Sequence, residues 1–228
     1  MITLDALFFL VHVALDRAWA NVDAYVLAPL AATMLHRIDV RLAADAMGAR
    51  PDVAESFSIA RSLVAVALTL AESTYEAPPA IGRCVMEERE LVLAHAGTRE
   101  SPCLGVLVDY SAMTPNAAFD RGDGLAGWFL SVAWLQHAAL ALTGIGERDA
   151  RGDADVAVAR THARAALLLS RAVDPDVDNE AASAWERIER LGQRTIGDRV
   201  GATPRDVREA CARAALDVSS IVWLASTG

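Results

Sequence analysis

Thr3-Leu4-Asp5-Ala6-Leu7-Phe8-Phe9-Leu10-Val11-His12-Val13-Ala14-Leu15-Asp16-Arg17-Ala18-Trp19-Ala20-Asn21-Val22-Asp23-Ala24-Tyr25-Val26-Leu27 opens the chain, and its reading decides the fold. Leu4, Leu7, Phe8, Val11, Val13, Leu15, Trp19, Val22 and Val26 spread over most of a helical circumference instead of keeping to one face. A helix of this kind is one that protein wraps on several sides. Its polar residues are ordered: Asp5, His12, Asp16 and Asp23 are spaced by seven, four and seven. At about 100° per residue they fall within about 40° of one another, so a narrow acidic stripe runs along an otherwise apolar rod.

Working outward, the periodicity predicts about eight helices and no strand alternation. Pro29 opens a second helix over about 30–47, with Gly48 as its stop. Asp52 and Glu55 have the spacing of a capping box for a helix reaching about Ser73. Ala77-Pro78-Pro79 breaks the chain before a helix over about 81–96. Residues 98–124 read as irregular, and a central helix follows over about 125–142. The Gly-punctuated stretch 144–152 is a loop and the one candidate boundary, without the spacing of a dinucleotide fingerprint. Helices over about 153–172 and 179–191 come next, and Thr203 with Pro204 reads as N-cap and first residue of a last helix to about Leu224. The expected fold is all-α: a single antiparallel multi-helix domain.

Composition narrows the chemistry. The chain has 228 residues, 54% of them hydrophobic but only 6% aromatic, so the apolar content is mainly Ala, Leu and Val. All 21 basic residues are Arg. The absence of Lys removes Schiff-base chemistry and a Walker-type phosphate lysine. A net charge of −9 without a basic block argues against nucleic acid. Cys84, Cys103 and Cys211 are scattered and odd in number, which reads as free thiols and not as a disulfide framework or zinc site. The N-terminal run has no basic start and is interrupted by Asp5 and His12, unlike a signal peptide. Phe129 to Ile145 is about one membrane thickness long, but Gln136 and His137 sit in its middle. These features read as a cytoplasmic chain with no membrane span.

Two readings of the stripe stand side by side. In the functional one it lines a pocket: His12 and Asp16 have an i, i+4 spacing that can share a metal ion, and Glu88 and His95 would join them from another helix. Asp109 and Tyr110 would add an acid and a phenol, making His12, His95, Asp109 and Tyr110 the candidate catalytic set. In the structural reading Asp16 and Asp23 face solvent or pair with Arg, and His12 is a satisfied, partly buried histidine. Neither reading names a cofactor. Glu87-Glu88-Arg89-Glu90 reads as a solvated helical face, Trp128 and Trp134 as core, and 185–190 as an amphipathic helix with internal ion pairs.

Val108-Asp109-Tyr110-Ser111, running on to the Trp-bearing segment Leu125–Leu135, resembles the signature of a bacterial and archaeal family, domain-of-unknown-function family 3160. Thr3 to Leu7 with His12, Val85 to Gly97, Ser101-Pro102, and Val200-Gly201 with Thr203-Pro204 are similar to further elements of it. The resemblance implies a predominantly helical fold and no assigned activity. Where the family continues with Gln-Phe-Lys-Pro-Arg-Gly-His-Tyr, this chain has Ala112 to Phe119, and Leu130 and His137 stand where Arg is usual. It also implies that this chain corresponds to about the N-terminal half of longer, often exported members. A half-domain exposes what its other half would cover. The expectation is therefore a non-catalytic helical interaction subunit, working as a homo-oligomer or with a second protein. The first helix, 125–142 and the C-terminal 221–224 are its expected interface. The alternative is an enzyme with a metal or acid–base pocket around His12, Asp16, His95 and Asp109.

Overall fold

A computed structural model describes residues 4–115, 125–141, 152–195 and 203–213. Helices α1 (Leu4–Val22) and α2 (Ala28–Ala46) form one uninterrupted rod, joined by a π turn over Asp23–Leu27. Sequence reading placed a break here, and Pro29 explains the compromise. Proline has no N–H, and its ring collides with the carbonyl four residues back. Widening the preceding turn moves that carbonyl aside, and Ala28 N–H donates to Asp23 O across the π turn.

Helix α3 (Ala54–Ala71) is the axis of the core. Ser62 to Leu70 are buried without interruption, and α2, α4 (Pro79–Leu93), α5 (Leu125–His137) and α6 (Gly152–Ala172) pack around it. Ala60, Ala65 and Ala67 are fully buried, so neighbours approach the backbone closely. At Gly127 on α5 the approach is closest: a Cβ there would lie 2.5 Å from the Leu70 carbonyl oxygen. Trp134, fully buried on the same helix, donates its indole N–H to Leu63 O at 3.0 Å. Pro51–Ala71 is long and apolar enough to cross a membrane by length and composition, and 78% of its apolar window is buried in protein.

The start of α3 differs from the expected capping box. A 3-10 turn, Pro51–Val53, precedes it, and Asp52 pairs with Arg50 Nε at 2.9 Å instead of capping. Pro51 presets the turn, so the helix begins at Ala54. The expected N-cap of the last helix is present and closes into a box: Thr203 N–H donates to Asp206 Oδ2 (2.8 Å), and Asp206 N–H to Thr203 Oγ1 (3.3 Å), at the start of α8 (Pro204–Arg213). Asp178 caps α7 (Asn179–Thr195) by accepting from Glu180 and Ala181 N–H. Arg37 on α2 reaches Asp178 and Glu180, tying the two helices. Helix α7 packs on α2, and α8 on α6.

The fold is predominantly helical, with one exception among the described residues that sequence reading missed. β1 (Thr98–Glu100) and β2 (Leu107–Asp109) form an antiparallel hairpin with Thr98 opposite Asp109 and Glu100 opposite Leu107. Strands of three residues are too short for alternation to show. The stretches 144–151 and 221–224 lie outside the described residues, as do the side chains of Asp5 and Asp16.

The environment of α1 differs from the wrapping expected within the chain, and its exposure is what a place at the expected interface would require. Among the described residues, the helix expected to be wrapped packs substantially only on its own continuation through the π turn. Phe9 is 66% exposed, Leu15 55% and Trp19 45%. The central helix shows the reverse: Leu125, Leu130, Ala133 and Trp134 of α5, expected at an interface, are already buried within the chain.

Candidate functional site

Ile81, Val85, Glu88 and Val92 follow one another at i, i+4, i+7 and i+11 on α4, and all four are buried. That spacing puts Glu88 on the apolar stripe, where it is fully buried, while its neighbours Glu87 and Glu90 face solvent. The run read as a solvated face therefore carries one core acid. The stripe itself was the available signal. A buried carboxyl must be hydrogen-bonded, and Glu88 has three donors. Tyr110 OH donates to Oε1, and Ser101 Oγ (2.6 Å) and Cys103 N–H (3.0 Å) donate to Oε2. Ser101 Oγ in turn accepts from Leu104 N–H at 3.0 Å. Burial, then the Glu88 contact, pushes the Tyr110 phenol far above its ordinary range.

The Asp-Tyr-Ser segment thus acquires a structural account. Asp109 caps the 3-10 turn Tyr110–Met113, accepting from Ser111 N–H (3.1 Å) and Ser111 Oγ (2.6 Å). The Ser111 hydroxyl, foremost, holds the exposed Asp109 carboxyl below the usual carboxylate range. Tyr110 points inward to Glu88, and its backbone N–H donates to Gly97 O at 3.0 Å. One residue clamps the turn and the next clamps the turn to the core.

The remaining candidates do not join this cluster. Helix α4 ends at Leu93, so His95 does not share a helical face with Glu88 as expected. It sits at φ +47°, a left-handed cap followed by Gly97 at φ +71°, and its Nδ1 is buried without a partner. His12 is exposed on α1, which among the described residues has no substantial packing contact with α4 or the hairpin. Among the described residues no three His, Cys, Asp or Glu side chains gather closely enough to hold a metal ion.

A cleft of about 390 Å³ adjoins the cluster, lined by Glu55 and Ser58 of α3, Cys84, Cys103 and His162 among others. His162 is fully buried and spent on structure: Nδ1 accepts from Ala141 N–H (3.0 Å), which leaves Nε2–H to donate to Leu104 O (2.9 Å). Cys84 and Cys103 are free thiols hydrogen-bonded to each other. Burial, foremost, pushes the Cys103 thiol up, which marks an inert thiol.

On the opposite flank of α3, His36 Nε2 meets both oxygens of Glu72 (2.9 and 3.0 Å). Tyr75 OH donates to Asp39 (3.0 Å), and the His36 and Tyr75 rings meet edge to face with centroids 5.9 Å apart. This pairing leaves no local mark in the sequence, because Glu72 lies beyond the next helix.

Fold and cluster together define a predominantly helical protein in which the most distinctive acid, phenol and hydroxyl groups brace a hairpin against the core. The chain belongs to the family described as protein of unknown function, DUF3160, whose profile matches residues 1–222. No curated protein and no solved structure matches it.

Proposed function

We propose that the chain is a non-catalytic helical subunit that self-associates through α1. The observation that carries this reading is a helix apolar on most of its circumference whose Phe9, Val11, Leu15 and Trp19 face solvent. With Tyr25, 79% exposed in the adjoining turn, Phe9 and Trp19 would contribute roughly 400 Å² on the usual size of aromatic side chains, about half of the ~800 Å² per partner of a stable interface. A second copy fits the charge. Residues 4–22 hold two Asp and one Arg, so one unit of the chain's net −9 falls on α1, and two copies meet there with little repulsion. Two-fold pairing is also the commonest way a chain covers such a surface.

Catalysis by His12, Asp16, His95 and Asp109 would need those side chains to converge, and no observation above favours it. Size-exclusion chromatography with light scattering tests the proposal. The expected result is a multiple of the chain mass, reduced to one chain in Phe9→Ser/Leu15→Ser/Trp19→Ser with the parent helical circular dichroism. A parent that is monomeric at micromolar concentration overturns it.

A further inference from the structure

We propose that the pocket at the base of α1, walled by the π turn, α2 and α5, binds a small amino alcohol. Its volume is about 200 Å³. Water takes about 30 Å³ per molecule, so the space suits roughly seven non-hydrogen atoms.

Three features specify the occupant. The first is Ser131, a lining residue on α5 that is fully buried and whose Oγ has no hydrogen-bond partner. A buried hydroxyl without a partner is costly, and a hydroxyl on the occupant supplies what Ser131 lacks. The second is charge. Glu72 lines the same pocket, and among the described residues no Arg does. Its side chain is 32% exposed, so it stands towards the open side. His36 engages both Glu72 oxygens from one direction, and the remaining lone pairs can meet an ammonium group, by hydrogen bonds from a primary ammonium and by charge alone for a quaternary one. The third is the wall. Ala24, Ala28 and Ala32 form one apolar side, and Trp128 adds an indole. The Trp128 side chain is hydrogen-bonded to Asp23, a second acid beside the pocket. Apolar walls, an aromatic ring and carboxylates favour an organic cation over a metal ion or an anion. An ammonium at Glu72, a short carbon body over the alanines and a hydroxyl at Ser131 meet all three requirements.

The π turn is part of the site. It carries Ala24, and Ala28 follows it directly. Without the extra residue in that turn, α1 and α2 would present different side chains to Trp128.

Isothermal titration of the full chain with choline, ethanolamine and tetramethylammonium tests the proposal. Choline and ethanolamine are expected to bind saturably. Tetramethylammonium, which lacks the hydroxyl, should bind about tenfold more weakly than choline, the size of one hydrogen bond. Ser131→Ala should weaken choline about tenfold, leave tetramethylammonium unchanged, and fold at least as stably as the parent, since it removes an unpaired hydroxyl. Ala28→Leu, with parental circular dichroism, should abolish binding by filling the space. Absence of saturable binding by both alcohols at millimolar concentration overturns the proposal. So does equal affinity for choline and tetramethylammonium, or choline binding that survives Ala28→Leu.

Discussion

Helices α1 and α3 draw on the same residues, Leu, Val, Ala and Phe, and meet opposite surroundings. Ser62 to Leu70 of α3 are buried on every side by α2, α4, α5 and α6. Phe9, Val11, Leu15 and Trp19 of α1 face solvent. The difference teaches that apolar composition fixes the need for cover and not its source. For α3 the cover is intramolecular, and small residues let it close: Gly127 brings α5 onto the Leu70 carbonyl, and Ala60, Ala65 and Ala67 are fully buried. For α1 the described residues leave Phe9, Val11, Leu15 and Trp19 exposed, and the proposed self-association would supply their cover.

The comparison can be broken from its enclosed side first. Trp134→Ala removes a fully buried indole and leaves Leu63 O without its donor, so urea unfolding should show a loss of about 3–5 kcal/mol. An unchanged midpoint would mean that α5 does not seal α3. A smaller effect is expected from Tyr110→Phe. It deprives Glu88 of one of three donors at a cost of about 1–3 kcal/mol, with faster amide exchange across Thr98–Tyr110. Equal exchange in parent and variant would dissociate the hairpin from the Glu88 clamp. The smallest effect, and the one that sharpens the contrast, belongs to Leu15→Ala. At concentrations where the protein is a single chain it should shift stability by no more than about 0.5 kcal/mol, as an exposed substitution does. Its destabilisation should then grow with protein concentration, because oligomerisation adds to apparent stability by mass action. A large loss at low concentration would place Leu15 against its own chain instead.

The helical layout was legible because its signals are local. Thr203-Pro204 announced a cap that the structure contains, and the stop at Gly48 and break at Pro78-Pro79 fall where helices end or begin. The Asp-Tyr-Ser segment announced the family. What was not legible depends on contacts distant in sequence. Glu88 lies in an acidic run, and only the donors from Ser101, Cys103 and Tyr110 give that acid a buried role. The end of α4 at Leu93 depends on the left-handed turn at His95, an unusual backbone for a residue with a side chain, so His95 was projected onto a helical face it does not occupy. The exposure of α1 could not be read from α1, because amphipathic pattern says which residues avoid water and not whether a neighbour arrives.

The π turn at Asp23–Leu27 also sets the rotational phase of the whole N-terminal rod. Helical side chains advance by about 100° and 1.5 Å per residue. Deleting a single residue from the turn would therefore swing every side chain of α1 by about a quarter of a revolution relative to α2, while the body from Pro29 onward stayed in place. Phe9, Leu15 and Trp19 would then face a new direction, and whatever they meet would have to turn with them. For the proposed self-association, a one-residue length change at this point would re-aim the surface through which two copies meet.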